Sequence, residues 1–209
     1  MAEILAQLRR QTNGAVTGAM EAHGVLWPLN YGVSVPAIRD VAAAYFPDHD
    51  LGKLLYRQQI RELRLAGIMI ADPHSMKCEE IPFWADGVIN SEVAEHISFL
   101  LSASDIIPEV TRLWLTDDNQ WLRYASVLSV TRRLLSGKVV PDTVIADLMT
   151  SSESQFAVDN RLLWRSFAAF LNALYRVSSS RGDAVMALAE KLKSDDSAAA
   201  TYVLEELYF

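Results

Sequence analysis

Apolar residues recur along this chain at intervals of three and four positions, the spacing that places them on one face of an α-helix. In residues 119–135, for example, Leu122, Ala125 and Leu128 follow this spacing. Runs that alternate apolar and polar residues, as a half-buried β-strand does, are absent. The pattern predicts an all-α protein of about ten helices, at residues 2–19, 34–46, 50–71, 91–102, 104–115, 119–135, 141–150, 155–177, 183–193 and 195–207.

A weak internal repeat divides these helices into pairs. Four of the helices carry an alanine near their middle, and each follows a shorter, more apolar helix. They begin near Gln59, Asn90, Asn119 and Asn160, and the alanines are Ala66, Ala94, Ala125 and Ala168. Their spacing of roughly 30 to 40 residues is typical of helical-pair repeats, which bury their faces by stacking. We therefore expect residues 1–209 to form a single domain, a HEAT-like α-solenoid of stacked antiparallel helix pairs.

The charge of the chain is segregated. A net charge of −7 argues against a nucleic-acid-binding protein. However, residues 53–64, 119–138 and 161–181 hold 12 of the 19 lysines and arginines. The remainder of the chain is strongly acidic, so the basic residues are concentrated on a few of the predicted helices.

Arginines on the second helices of the predicted pairs share one helical spacing. Arg57, Arg61 and Arg64 stand at i, i+4 and i+7, which places them on one helix face. Arg123 lies four residues after Asn119, and Arg161 and Arg165 repeat the four-residue spacing. Stacking would bring these six arginines onto one surface, which we call the predicted arginine ridge. Two interpretations of this ridge stay open. The arginines either bind a ligand, or they have no binding function because they are solvated or because Glu92 and Glu95 neutralise their charge.

Three sequence segments resemble one known family. Residues 31–39 contain Gly32, Pro36 and Arg39 in the spacing Gly-x-x-x-Pro-x-x-Arg. Residues 55–66 carry Leu-Tyr followed by Glu-x-Arg-x-Ala, and residues 114–125 read Trp-Leu-Thr-Asp-Asp-Asn-Gln-Trp-Leu-Arg-Tyr-Ala. Together these segments are similar to motifs of the DNA alkylation repair glycosylases of the AlkD type, over roughly residues 20 to 176.

The resemblance implies a HEAT-like solenoid whose basic concave face binds duplex DNA, with Trp121, Tyr124 and Trp164 as aromatic residues of the groove. Active members of that family remove N3- or N7-alkylated purines, using tryptophan faces and an aspartate that stabilises the developing oxocarbenium ion. Here the corresponding helix has no tryptophan, and Ala94 stands where the aspartate is expected. Weak replacements are Trp84, Asp86 and Glu95, although an aromatic packed between helices is the commoner role for Trp84.

These observations leave three functions from different classes. The first is a family member that binds duplex DNA with its base-excision chemistry weakened or lost. The second is an active glycosylase for N3- or N7-alkylated purines, and the third is a scaffold that binds another protein. The scattered histidines and the single cysteine predict no metal site, and we expect no cofactor. No apolar run is long enough to span a membrane, and we expect a cytoplasmic monomer.

Overall fold

The computed structural model describes residues 1–23, 26–177, 179–195 and 199–208, and most of these residues lie in helices. It contains two short 3-10 helices, Pro73–Ser75 and Cys78–Glu80, and a single isolated bridge between Leu29 and Ile60, but no β-sheet. The prediction of an all-α protein is confirmed. The α-helices are α1 (Ala2–Arg9), α2 (Gly14–Ala22), α3 (Val35–Ala43), α4 (His49–Tyr56), α5 (Arg61–Ile70), α6 (Ile81–Asp86), α7 (Ser91–Ala103), α8 (Ile107–Trp114), α9 (Gln120–Leu135), α10 (Asp142–Phe156), α11 (Arg161–Val177), α12 (Ser179–Ser194) and α13 (Ala200–Tyr208).

The described residues form thirteen α-helices where the sequence predicted about ten. The predicted helix 2–19 is divided by Asn13, whose side chain accepts hydrogen bonds from the backbone N–H groups of Ala15 and Val16 and starts α2. The predicted helix 50–71 is divided into α4 and α5 by a turn at residues 57–60. Helix α6 was not predicted, because its six residues are too few to show a helical period.

The chain folds into two compact units, Met1–Asp105 and Ile106–Phe209. In the first unit α4 and α5 pack against each other through glycines. A Cβ atom on Gly67 would lie 2.6 Å from the carbonyl oxygen of Gly52 and from the amide nitrogen of Tyr56. Only a residue without a side chain allows the two backbones to approach this closely. The single domain predicted for residues 1–209 stays a prediction.

In the second unit the two long helices α9 and α11 pack against each other. Their first turns are joined by a hydrogen bond of 2.9 Å from Asn160 to the side chain of Gln120. Both helices contribute to an apolar core that includes Val127, Phe167 and Leu171, all fully buried. Helix α11 also packs against α10, α12 and α13, so it lies at the centre of the unit.

The predicted repeat has a structural counterpart in both units. Ala66, Ala94, Ala125 and Ala168 are each fully buried, which lets neighbouring helices pack closely at these positions of α5, α7, α9 and α11, although Ala94 lies in the first turn of α7 and not in its middle. Three of these helices also begin in the same way, with an asparagine side chain that accepts a hydrogen bond from a backbone N–H group of the first turn. These asparagines are Asn90, Asn119 and Asn160, at distances of 3.0, 2.9 and 3.2 Å.

Candidate nucleic-acid interface

Arg61, which we expected on the predicted arginine ridge, is buried in the first unit. Only 3% of its surface is exposed, and its guanidinium group binds the carboxylate of Glu92 through Nε at 2.9 Å and through a terminal nitrogen at 2.5 Å. The other terminal nitrogen donates to the carbonyl oxygen of Val33 at 2.7 Å and to Glu62 at 3.2 Å. Burial opposes the charge of Arg61, but the hydrogen bonds and charge of Glu92 outweigh it and raise the pKa of Arg61. Of the two interpretations, neutralisation by Glu92 is the one that describes this residue.

Arg57 and Arg64 do not share a helix face with Arg61 as the sequence predicted. Arg57 caps the end of α4 and Arg61 begins α5, so the turn between them breaks the i, i+4, i+7 relation. Arg57 is exposed and stacks on the ring of Phe83, 5.0 Å from its centroid. Arg64 is 95% buried and lies 5.7 Å from the ring centroids of both Trp27 and Tyr56. The predicted ridge is therefore absent from α5.

Three exposed arginines of the second unit lie on α11. Arg161 and Arg165 are one turn apart and both are exposed, as their four-residue spacing predicted. Arg176 is exposed on the same helix, fifteen residues after Arg161, which corresponds to about four turns and returns it to nearly the same face. Helix α11 contains no acidic residue, and neither does its neighbour α9. This pair of helices is the most basic part of the second unit.

Arg123 differs from the arginines on α11. It is half-buried, and its guanidinium group donates to the backbone carbonyl oxygens of Asp117 at 2.5 Å and Asp118 at 3.2 Å. These hydrogen bonds stabilise the turn that leads into α9, so the guanidinium group of Arg123 has a structural role there. Arg161 also lies in a mixed environment, because it lines a hollow that contains Glu153 and Asp159. Arg165 and Arg176 do not line this hollow, and among the described residues no ion pair to either of them is seen.

The predicted groove aromatics are mainly core residues. Trp164 is 6% exposed, and its indole N–H donates to the carbonyl oxygen of Val158 at 2.8 Å. Tyr124 is 8% exposed. Trp121 is half-buried at the start of α9 and is the one of the three with substantial exposed surface. The burial of Tyr124 and Trp164 places both in the packing of the second unit.

The weak catalytic candidates do not form a site. Trp84 is fully buried and packs against Tyr56, whose hydroxyl donates to the backbone carbonyl oxygen of Trp84 at 2.6 Å. This is the packing role that we considered commoner for Trp84. Asp86 is exposed at the end of α6, and Glu95 is half-buried on α7. Ala94 is fully buried, so the position at which the resemblance places an aspartate faces the core of the first unit.

A different aromatic and carboxylate pair, which the sequence did not reveal, lies in the first unit. The indole N–H of Trp27 donates to Glu92 at 3.1 Å, on the same carboxylate that binds Arg61. Trp27 and Glu92 are both half-buried. They are 65 residues apart in sequence, and neither lies in one of the motifs that carried the resemblance, so no local signal could have joined them.

Within the described ranges, no group of three or more histidine, cysteine, aspartate or glutamate side chains could hold a metal ion. The helices in those ranges also include none with the length and apolar character that crossing a membrane requires.

Comparisons with known proteins agree with this architecture. The family model of the DNA alkylation repair enzymes matches residues 4–156, which is most of the chain. A solved structure described as a new family of proteins related to the HEAT-like repeat DNA glycosylases, with affinity for branched DNA structures, superposes with a TM-score of 0.78. The two chains are 16% identical, and the match covers 91% of this chain and 82% of the other, so it confirms the predicted HEAT-like helical fold. No curated protein matches the chain.

Proposed function

Because the chain belongs to the family of DNA alkylation repair enzymes, we propose that it binds DNA through arginines of α11 and that it excises alkylated bases weakly or not at all. The observation that carries the binding half of this proposal is the exposure of Arg165 and Arg176 on a helix that has no acidic residue. Along the helix axis, Arg161 and Arg176 are separated by about 22 Å at 1.5 Å per residue. A row of guanidinium groups of this length suits several phosphates of one DNA strand.

Contacts of this kind bind the DNA backbone and carry little sequence preference. Such phosphate contacts can form with duplex DNA and with a branched junction alike. A protein of similar structure is described as having affinity for branched DNA. The net charge of −7 opposes binding at long range, so we expect micromolar dissociation constants. Duplex and four-way-junction probes should therefore both bind at low ionic strength.

The proposed loss of excision rests on the first unit. A base-excision transition state gains positive charge, and a carboxylate near the sugar stabilises it. Ala94 supplies no carboxylate, and the charge of Glu92 is balanced by Arg61 at 2.5 Å. Trp84 cannot offer a ring face to a nucleotide, because it is fully buried. These features support weak or absent chemistry.

Fluorescence anisotropy with labelled duplex and junction probes tests the binding proposal. The double variant Arg165→Ala, Arg176→Ala should bind both probes about tenfold more weakly than the wild type, since two phosphate contacts are lost. Arg112→Ala is the matched control, because Arg112 is an exposed arginine of the same unit whose charge is paired with Glu109. It should change the affinity less than twofold. A wild-type protein that binds neither probe at low salt would favour the protein-scaffold function instead.

Base excision at Glu92 is the second candidate function, and it is favoured by the contact between Trp27 and Glu92. Measuring the release of free base from a duplex containing N7-methylguanine distinguishes base excision at Glu92 from the proposed loss of excision. The proposal expects release no faster than without protein. Enzyme-dependent release that is abolished by Glu92→Gln would establish the second candidate and refute the proposed loss of excision.

A further inference from the structure

A hollow in the first unit, which shares no residue with the DNA-binding surface proposed above, is lined by two arginines and two aromatic rings. Its volume is about 410 Å³, within the usual range of small-molecule sites. It lies where the end of α4, the start of α5 and the end of α6 meet. The lining residues are Tyr56, Arg57, Gln59, Arg64, Phe83, Asp86 and Gly87.

Arg64 is a buried cation in this hollow without a carboxylate partner. Its Nε donates to the carbonyl oxygen of Gln58 at 3.3 Å, and a terminal nitrogen donates to that of Gly87 at 3.1 Å. Within the described ranges, no carboxylate lies within 4.0 Å of its guanidinium group. Burial is the largest influence on this group and lowers the pKa of Arg64. The charge of Asp86 acts on Arg64 in the opposite direction, but no carboxylate of the described residues forms a direct ion pair with it, so its burial is compensated less completely than that of a paired arginine.

Arg61, on the same helix, is a buried arginine whose charge is neutralised by carboxylates. Arg61 is buried to a similar extent, and it is bound by the carboxylates of Glu62 and Glu92. Arg64, three residues further along α5, contacts no equivalent group and opens onto the hollow. Arg61 is therefore neutralised by direct carboxylate contacts, whereas Arg64, which lines the hollow, has no such contact in the described part of the chain.

Arg57 provides a second guanidinium group at the rim of the hollow. It is exposed, and stacking on Phe83 at 5.0 Å restrains its planar group. Asp86, also exposed on the lining, is the one carboxylate there and reduces the positive charge of the hollow. Two guanidinium groups against one carboxylate leave a net positive site, which suits a dianion better than a neutral or cationic ligand.

We propose that this hollow binds a phosphate group carried on a nucleotide-sized molecule, that is, a nucleoside monophosphate or a ligand of the same chemistry. Guanidinium groups form paired hydrogen bonds with phosphate oxygens, and Arg57 and Arg64 both line the hollow. The volume exceeds what a phosphate alone would occupy, and the half-buried ring of Phe83 offers apolar surface to the organic part. This site is independent of the DNA-binding proposal, because it involves no residue of the second unit.

Isothermal titration calorimetry with AMP, inorganic phosphate and adenosine tests the assignment at low ionic strength. AMP should bind with one-to-one stoichiometry, phosphate more weakly, and adenosine not detectably. Arg57→Ala should weaken AMP binding about tenfold, because a charge-assisted contact is lost at an exposed position that tolerates substitution. Asp86→Asn should strengthen it about threefold, since it removes the opposing charge.

Arg165→Ala serves as the control, because it removes an exposed arginine from the other unit and should leave AMP binding unchanged. The inference is overturned if AMP does not bind, if adenosine binds as well as AMP, or if Arg57→Ala and Arg165→Ala weaken AMP binding equally. Opposite effects of Arg57→Ala and Asp86→Asn on AMP affinity would support it, whatever the outcome of the DNA-binding assays.

Discussion

Glu62 is the buried acidic residue that joins the segment before α3 to helix α5, and its replacement by glutamine should destabilise the first unit strongly. Its side chain is fully buried. One carboxylate oxygen accepts from the backbone N–H groups of Tyr31 at 3.1 Å and Val33 at 3.2 Å, and from Arg61 at 3.2 Å. The other oxygen also accepts from Tyr31, at 3.2 Å.

Glutamine has nearly the same shape but carries no charge and turns one acceptor into a donor. Breaking a buried ion pair costs roughly 3–5 kcal/mol, and a buried donor left without an acceptor costs about 1–3 kcal/mol. Glu92 continues to neutralise Arg61, so we expect the lower end, about 3 kcal/mol. For a chain of this length that corresponds to a fall of roughly 6–12 °C in Tm.

Urea unfolding followed by circular dichroism measures this change in the free energy of unfolding. Glu109→Gln is the matched control, because Glu109 also pairs with an arginine but on an exposed helix face. That substitution should cost less than about 0.5 kcal/mol. If Glu62→Gln and Glu109→Gln have equal effects, the structural importance assigned to the buried carboxylate is wrong.

Two further predictions concern the same unit. Gly67→Ala should lower the free energy of unfolding by about 1–3 kcal/mol, since the added methyl group would lie 2.6 Å from the backbone of α4. A urea midpoint equal to that of the wild type would show instead that α4 and α5 can move apart to accommodate the methyl group. Burial opposes ionisation of Glu80, but hydrogen bonds from Lys53 and His49 outweigh it and lower the pKa of Glu80 below 4.5. Its contribution to stability is therefore present above pH 4.5 and is lost as the pH falls through the lower folded value. Stability measured between pH 5 and pH 3 should fall less steeply in Glu80→Gln than in the wild type, and equal slopes would contradict this.

The helices α7, α9 and α11 could be predicted from the sequence because local signals mark them. Their buried alanines and their asparagine caps lie within a few residues of the apolar stripes that they accompany. The break between α4 and α5 has no comparable signal. Gln58 and Gln59 do not interrupt the helical apolar period, so the arginines on either side of the turn seemed to share a face.

The buried arginines could not be predicted for a different reason. The partner of Arg61 is Glu92, which is 31 residues away, and packing of α5 against α7 brings the two together. An arginine is ordinarily an exposed residue, and its burial depends on a partner that only the folded chain provides. The exposure of Arg161 and Arg165, by contrast, follows from a spacing within one helix and agrees with the structure.

The central claim, that arginines of α11 bind DNA phosphates, is tested most directly by the salt dependence of duplex binding. Each phosphate that is neutralised releases counterions and adds about −0.9 to the slope of log K against log salt concentration. With two to three contacts from Arg161, Arg165 and Arg176, the wild type should give a slope of about −2 to −3, and Arg165→Ala, Arg176→Ala should give a slope smaller in magnitude by about 2. Equal slopes for the wild type and the double variant would show that the DNA is bound elsewhere, and would contradict the account.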